Sequence, residues 1–211
     1  MPKLLIVGII VLVSLGIWWT FSGEEPASGP EVNDLGYPVD QEYISDAYGF
    51  SFTYSGELTP EVYTDEHIAL GYADDRGFES QVMVRVIERP ADEVTSESAF
   101  VAQEVQLLCD ADGPEGSISC PEIDMETSFT TDAGVSGTVF MLEQVTTTVD
   151  GEIVAETLRG PFYVVSLPSD AATVRALVIH PPLTGNDAVV EPLVDQVARS
   201  VNYPDAEHRS I

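Results

Sequence analysis

Two cysteines, three histidines and a short acidic loop are the residues of this 211-residue chain whose types and spacing could do chemistry. Cys109 and Cys120 flank a stretch with Gly113 and Pro114, which lets the chain fold back and bring the thiols together. A disulfide is expected, and closing so short a loop contributes roughly 2 to 3 kcal/mol, mainly by restricting the unfolded chain. A redox pair or a metal thiolate site is the competing chemistry, but the spacing is not C-x-x-C and no third ligand stands beside it. Inside the loop, Asp110, Asp112 and Glu115 are three carboxylates that suit a hard cation, calcium above all. In an EF-hand the glycine is sixth among ligands at alternate positions, whereas Gly113 is fourth and Pro114 stiffens the turn. A solvated acidic loop therefore competes with the metal site, and no other cofactor is expected.

His67, His180 and His208 are far apart, and no two share a spacing that would place them on one face of an element. A zinc or nucleophilic site would have to assemble from distant segments. The chain has no G-x-S-x-G and no Walker-type phosphate loop. Acid pairs such as Asp74-Asp75 are no glycosidase signal where 36 residues are Asp or Glu.

That acidity bounds the partners. A net charge of −28, with one lysine and scattered arginines, offers no basic face to displace counterions from phosphate backbones, which excludes nucleic acid. It also opposes docking flat on anionic lipid heads, which uses clustered Lys and Arg. A salty environment would relieve the self-repulsion.

The elements that must position these residues begin with Leu4 to Phe21, an uncharged run long enough to cross a bilayer, with Trp18, Trp19 and Phe21 at its far end. Lys3 precedes it, and Glu24, Glu25 and Glu31 follow, so the positive-inside rule predicts residues 1–3 as a cytoplasmic stub and the rest of the chain outside. A cleaved signal peptide is the alternative, but bulky aromatics occupy the place of small cleavage-site residues. The expected location is the cell membrane, as a single-pass signal-anchor protein. Residues 22–42, rich in Gly, Pro, Ser and acid, read as a tether, 43–203 as one extracytoplasmic domain, and 204–211 as a polar tail.

Within the domain, residues 43–54 alternate aromatic and small polar side chains, placing Tyr48, Phe50, Phe52 and Tyr54 on one side of a strand whose two phenylalanines belong in the core. His67–Tyr72 and Gln81–Glu88 read as a strand pair around A-D-D-R-G, with Val82, Val84 and Val86 alternating against Met83, Arg85 and Ile87. The period then changes, and Phe100, Val101, Glu104, Val105 and Leu108 predict a helix over Ser96–Cys109, with Thr95 and Ser96 as capping candidates. Further strands are predicted at 126–131, 136–149, 153–159, 162–167 and 173–180, with turns at Asp132-Ala133-Gly134, Asp150-Gly151 and Pro168-Ser169-Asp170. Pro181-Pro182 ends the last strand, and Val189, Val190, Leu193, Val194, Val197 and Val201 predict a closing amphipathic helix.

Taken in order, Gly49-Phe50-Ser51-Phe52-Thr53-Tyr54, a meander, one helix, a run of antiparallel strands and a closing helix ending in Arg199-Ser200-Val201-Asn202-Tyr203 resemble the PsbP family over about Tyr43 to Tyr203. Ser55 replaces a proline common in that family, and the tryptophan usual soon after is absent. The resemblance implies an α+β fold, an antiparallel sheet flanked by helices as an α/β/α sandwich, here preceded by one N-terminal transmembrane helix. The founding members are extrinsic photosystem II subunits, but none of their contact positions can be matched here, so photosynthetic function is not implied. The expected function is that of an accessory or binding protein without catalytic activity, held to the membrane by its N-terminal helix and serving another envelope protein. The alternatives are an envelope hydrolase with its site hidden in the fold, or a carrier of a small apolar or lipid ligand.

Overall fold

The computed structural model describes residues 39–203, apart from 76, 95, 110, 114–115, 170–171 and 184–186. The predicted span Leu4–Phe21, most of the tether, Thr95 and the polar tail lie outside the described residues. All described residues belong to one compact unit, Val32–Ile211. Among them no helix is long and apolar enough to cross a membrane.

Strands β1 (Val39–Ser45) and β2 (Phe50–Ser55) form an antiparallel hairpin. Eight further strands make a second, fully antiparallel sheet: β3 (Thr59–Thr64), β4 (His67–Asp74), β5 (Gly77–Pro90), β6 (Ala111–Gly113), β7 (Gly116–Thr130), β8 (Ser136–Thr148), β9 (Ile153–Ser166) and β10 (Thr173–His180). Their order is β3-β4-β5-β10-β9-β8-β7-β6. A single 3-10 turn (Ala91–Glu93) and two α-helices, α1 (Glu97–Cys109) and α2 (Asp187–Arg199), complete the described elements.

The centre of the large sheet is buried on both faces, because side chains alternate along a strand and each face has its own cover. On β10, Leu177 and Ile179 join Ile68, Leu70, Val82 and Val84 in a core closed by Val190, Leu193, Val194 and Val197 of α2 and by Phe50, Phe52 and Tyr54 of the hairpin. The opposite face carries Ala176 and Val178, which join Ile87, Phe140, Leu142, Phe162 and Val164 under Phe100, Val101 and Val105 of α1. The result is a sheet-dominated α+β fold with a helix on each face.

Where local signals were strong, the elements form as expected. Ser96 caps α1: its Oγ accepts from the Ala99 N–H at 3.2 Å and its carbonyl from the Phe100 N–H at 3.0 Å. The Asp150-Gly151 turn closes β8 on β9 with Gly151 at φ +81° and its N–H donating to the Thr148 carbonyl at 2.9 Å. Phe50 and Phe52 are fully buried beneath α2.

Other expectations need correction. The stretch 43–54 is a hairpin, not one strand, because the chain reverses at residues 46–49, with Gly49 at φ +68° and its N–H on the Ser45 carbonyl at 2.8 Å. Tyr48 therefore sits in the turn. The segments 153–159 and 162–167 are one strand, β9, with a register shift where Gly160 and Pro161 pass Phe140 and Leu142. Strand β7 starts at Gly116 and spans Pro121, while β3 and β6 were not expected at all. Helix α2 ends at Arg199, and Val201 is buried beyond it.

Candidate functional site

Helix α1 is fastened to the sheet at its middle and at its C-terminal end. Near its middle, Glu104 receives Arg89 of β5 at 2.6 Å, and Gln106 Nε2 donates to the Pro121 carbonyl at 2.9 Å. Its last residue, Cys109, is disulfide-bonded to Cys120 of β7, the Cα atoms lying 5.9 Å apart. Between the N-terminal half of α1 and strands β7–β9 a cleft of about 620 Å³ remains. Its deepest lining is apolar, with buried Val101, Phe140 and Val164, whereas Glu126, Ser136 and Ser166 are exposed at its mouth. Gly137 lets β8 pass here, since a Cβ would stand 2.4 Å from the Phe129 ring and 2.6 Å from the Val164 carbonyl. Such a cleft can hold the apolar body of a ligand on Phe140 and Val164 and meet its polar end with hydroxyls and the Glu126 carboxylate. Among the described residues lining it there is no histidine or cysteine.

Of the residues singled out for metal chemistry, Asp110 and Glu115 lie outside the described residues. Asp112 pairs through its backbone with Ser117, so part of the expected loop is the β6–β7 hairpin. Among the described residues no group of three His, Cys, Asp or Glu side chains is placed to hold a metal. His208 also lies outside the described residues.

His67 and His180 come together on the α1 side of the sheet, although nothing in their spacing announced it. His67 of β4 is paired directly with Arg85 of β5. His180 of β10 is paired with Met83, two residues along the same face of β5. The His180 ring lies parallel to Phe162 at 5.0 Å, and Phe162 lies parallel to Phe140 at 5.8 Å, so an aromatic ladder runs from the cleft floor to His180. His180 is fully buried, and its Nδ1 lies 2.7 Å from the Pro181 carbonyl oxygen. Burial, aided by the charges of Arg85 and His67, pushes its pKa down to about 3. Burial and Arg85 also lower that of His67. Their shared neighbour is thus a guanidinium, not the buried carboxylate a hydrolytic pair would need. The available sequence signal was Arg85 itself, a charge between the apolar Met83 and Ile87 on one face of its strand.

The fold and cleft define a sheet-dominated α+β domain with a ligand-sized opening under α1. No family model matches the chain, and no curated protein matches it. Among solved structures it is similar to the cyanobacterial PsbP of Synechocystis, with 15% identity and a TM-score of 0.43 over 86% of this chain and 98% of that one. It is also similar to a protein of Bacteroides thetaiotaomicron, with 11% identity and a TM-score of 0.33 over 80% of this chain and 50% of that one. The first of these belongs to the family that the Gly49–Tyr54 stretch and the Ser200–Tyr203 ending resemble. Neither likeness bears on what this chain binds.

Proposed function

We propose that the chain is a non-catalytic binding module of the cell envelope, anchored by Leu4–Phe21, which presents the cleft under α1 to another envelope component. The observation that carries this reading is the lining of the cleft: an apolar floor with a hydroxyl and carboxylate mouth, suited to holding a group and, among the described residues, without a histidine or cysteine to act on it. An uncleaved anchor and an acidic tether would keep the module within reach of a membrane neighbour and raise its effective concentration there. In this reading the two helices and the sheet form the α/β/α sandwich of a PsbP-like domain.

A second reading is favoured by the size of the cleft. About 620 Å³ lies within the roughly 300 to 1,000 Å³ range of small-molecule sites, so the same opening would serve a carrier of a small apolar or lipid ligand. A photo-crosslinking residue in place of Thr138, which lines the cleft, separates the two in the full chain within its own membrane. One discrete protein adduct supports the accessory module, whereas an adduct of lipid mass supports the carrier. A probe that captures neither, while the same probe at exposed Val62 behaves identically, removes the cleft from both readings.

A further inference from the structure

Among the five described arginines, Arg89, Arg175 and Arg199 pair with carboxylates, and Arg159 donates to the carbonyls of Pro182 and Leu183. Arg85 has neither an ion pair nor a hydrogen bond among the described residues, in a chain with 36 Asp and Glu. Its Nε is buried and unpartnered, and so are His67 Nε2 and His180 Nε2. These three side chains point from one face of neighbouring strands. His67 stands directly opposite Arg85, with Cβ atoms about 5 Å apart in such pairs, and His180 is its diagonal neighbour at about 7 to 8 Å. Buried polar atoms without partners are rare in folded proteins, and three converging ones around a cation call for a ligand. A water would satisfy a lone pair or an N–H but would leave the half-buried guanidinium without a counter-charge.

The tautomer of His180 narrows the ligand further. The Pro181 carbonyl oxygen only accepts, so Nδ1 carries the hydrogen of the neutral ring and Nε2 presents a lone pair. The occupant must then bring anionic oxygens for Arg85 and an O–H of its own for His180. A carboxylate or a sulfate has the oxygens without the O–H, and a phosphodiester lacks it too. From this we infer that Arg85, His67 and His180 form a binding site for hydrogen phosphate, either the free ion or a phosphate monoester. In the occupied site, phosphate oxygens accept from Arg85 and from His67, in the tautomer that carries its hydrogen on Nε2, while P–OH donates to His180 Nε2. The site lies on the α1 side of the sheet, apart from the cleft lining, and does not rest on the cleft's being a binding site.

The test is calorimetric titration of the purified full chain with inorganic phosphate and with sulfate, in phosphate-free buffer at fixed ionic strength. One saturable phosphate site per chain is expected, with sulfate weaker by roughly ten-fold or more for want of one hydrogen bond to the site. Arg85→Met should weaken phosphate binding roughly 10- to 100-fold, the range for a lost charge-assisted bond. His180→Phe, which keeps a ring on Phe162, should abolish the preference for phosphate over sulfate. Thermal unfolding without phosphate checks that both variants fold, and a variant that does not is replaced by Arg85→Gln or His180→Gln. Competition by phosphatidylcholine vesicles containing phosphatidic acid, but not by phosphatidylcholine alone, assigns the phosphate to a lipid monoester; no competition assigns it to the free ion or a soluble monoester. Absence of saturable phosphate binding, equal binding of sulfate, or full binding by the Arg85 variant overturns the assignment.

Discussion

The hydroxyl of Ser200, just past the end of α2, accepts a hydrogen bond from the backbone N–H of Thr53 in β2 at 2.8 Å. It joins the two stretches that carry the family resemblance. Two residues on, Asn202 exchanges backbone hydrogen bonds of 2.9 Å with Ser51, so the segment just after α2 adds a short antiparallel bridge to the hairpin. Ser200→Ala leaves the Thr53 N–H short of an acceptor and should cost about 1 to 2 kcal/mol. In a domain of this size the melting temperature should fall by roughly 2 to 8 °C, readable by circular dichroism.

Phe52 is 1% exposed and stacks on Tyr43 at 5.1 Å, beneath the valines of α2. Phe52→Ala should cost about 3 to 5 kcal/mol in denaturant unfolding, because the cavity it leaves lies between two elements that cannot both collapse into it. An unchanged unfolding midpoint would mean that the aromatic face is open to a partner instead of packed.

The sequence was legible where one physical signal dominated a segment. The valine alternation of β5, the helical spacing of α1 and the apolar stripe of α2 each reflect burial of a single face or a simple two-sided alternation. Strand β3 was missed because T-P-E-V-Y-T is exposed at five of its six positions and has no apolar period to read. The first ten residues of β7 were missed for a similar reason, and β9 was divided because Gly160 and Pro161 are ordinary strand breakers that here occupy a bulge. The candidate sites were not legible. The cleft gathers residues from α1, β7, β8 and β9, and the Arg85 cluster gathers β4, β5 and β10, of which β10 is the neighbour of β5 in the sheet but not in the chain. Only the Cys109–Cys120 pair, local in sequence, could be read directly.

Reduction of that disulfide should release the end of α1 from β7. Cys109→Ser should lower stability by about 2 to 3 kcal/mol in denaturant unfolding, and adding reductant should bring the wild type to the same midpoint.

The buried imidazole sets a pH response. With the His180 pKa held near 3 against an ordinary 6.5, the unfolded chain takes up a proton between these values that the folded chain does not. Stability from this group is therefore complete above about pH 6.5 and is lost as the pH falls toward 3, by an amount on the order of a few kcal/mol. His67 shifts in the same direction. Acid also relieves repulsion in a chain of net charge −28, so the difference between wild type and His180→Phe is the informative quantity. The variant's advantage should grow as the pH is lowered through that window, in urea titrations at each pH.

The most direct measurement of the central claim, that the cleft under α1 is where this module binds, is capture by the Thr138 photo-crosslinker in chains with and without Ala102→Trp. Ala102 is a half-buried residue lining the cleft, where an indole would fill the space without removing a core side chain. A discrete adduct is expected in the wild-type background and should disappear with Ala102→Trp, while the melting temperature changes by no more than about 2 °C, the shift expected of a tolerated substitution. An adduct of undiminished yield in the filled-cleft chain would contradict it.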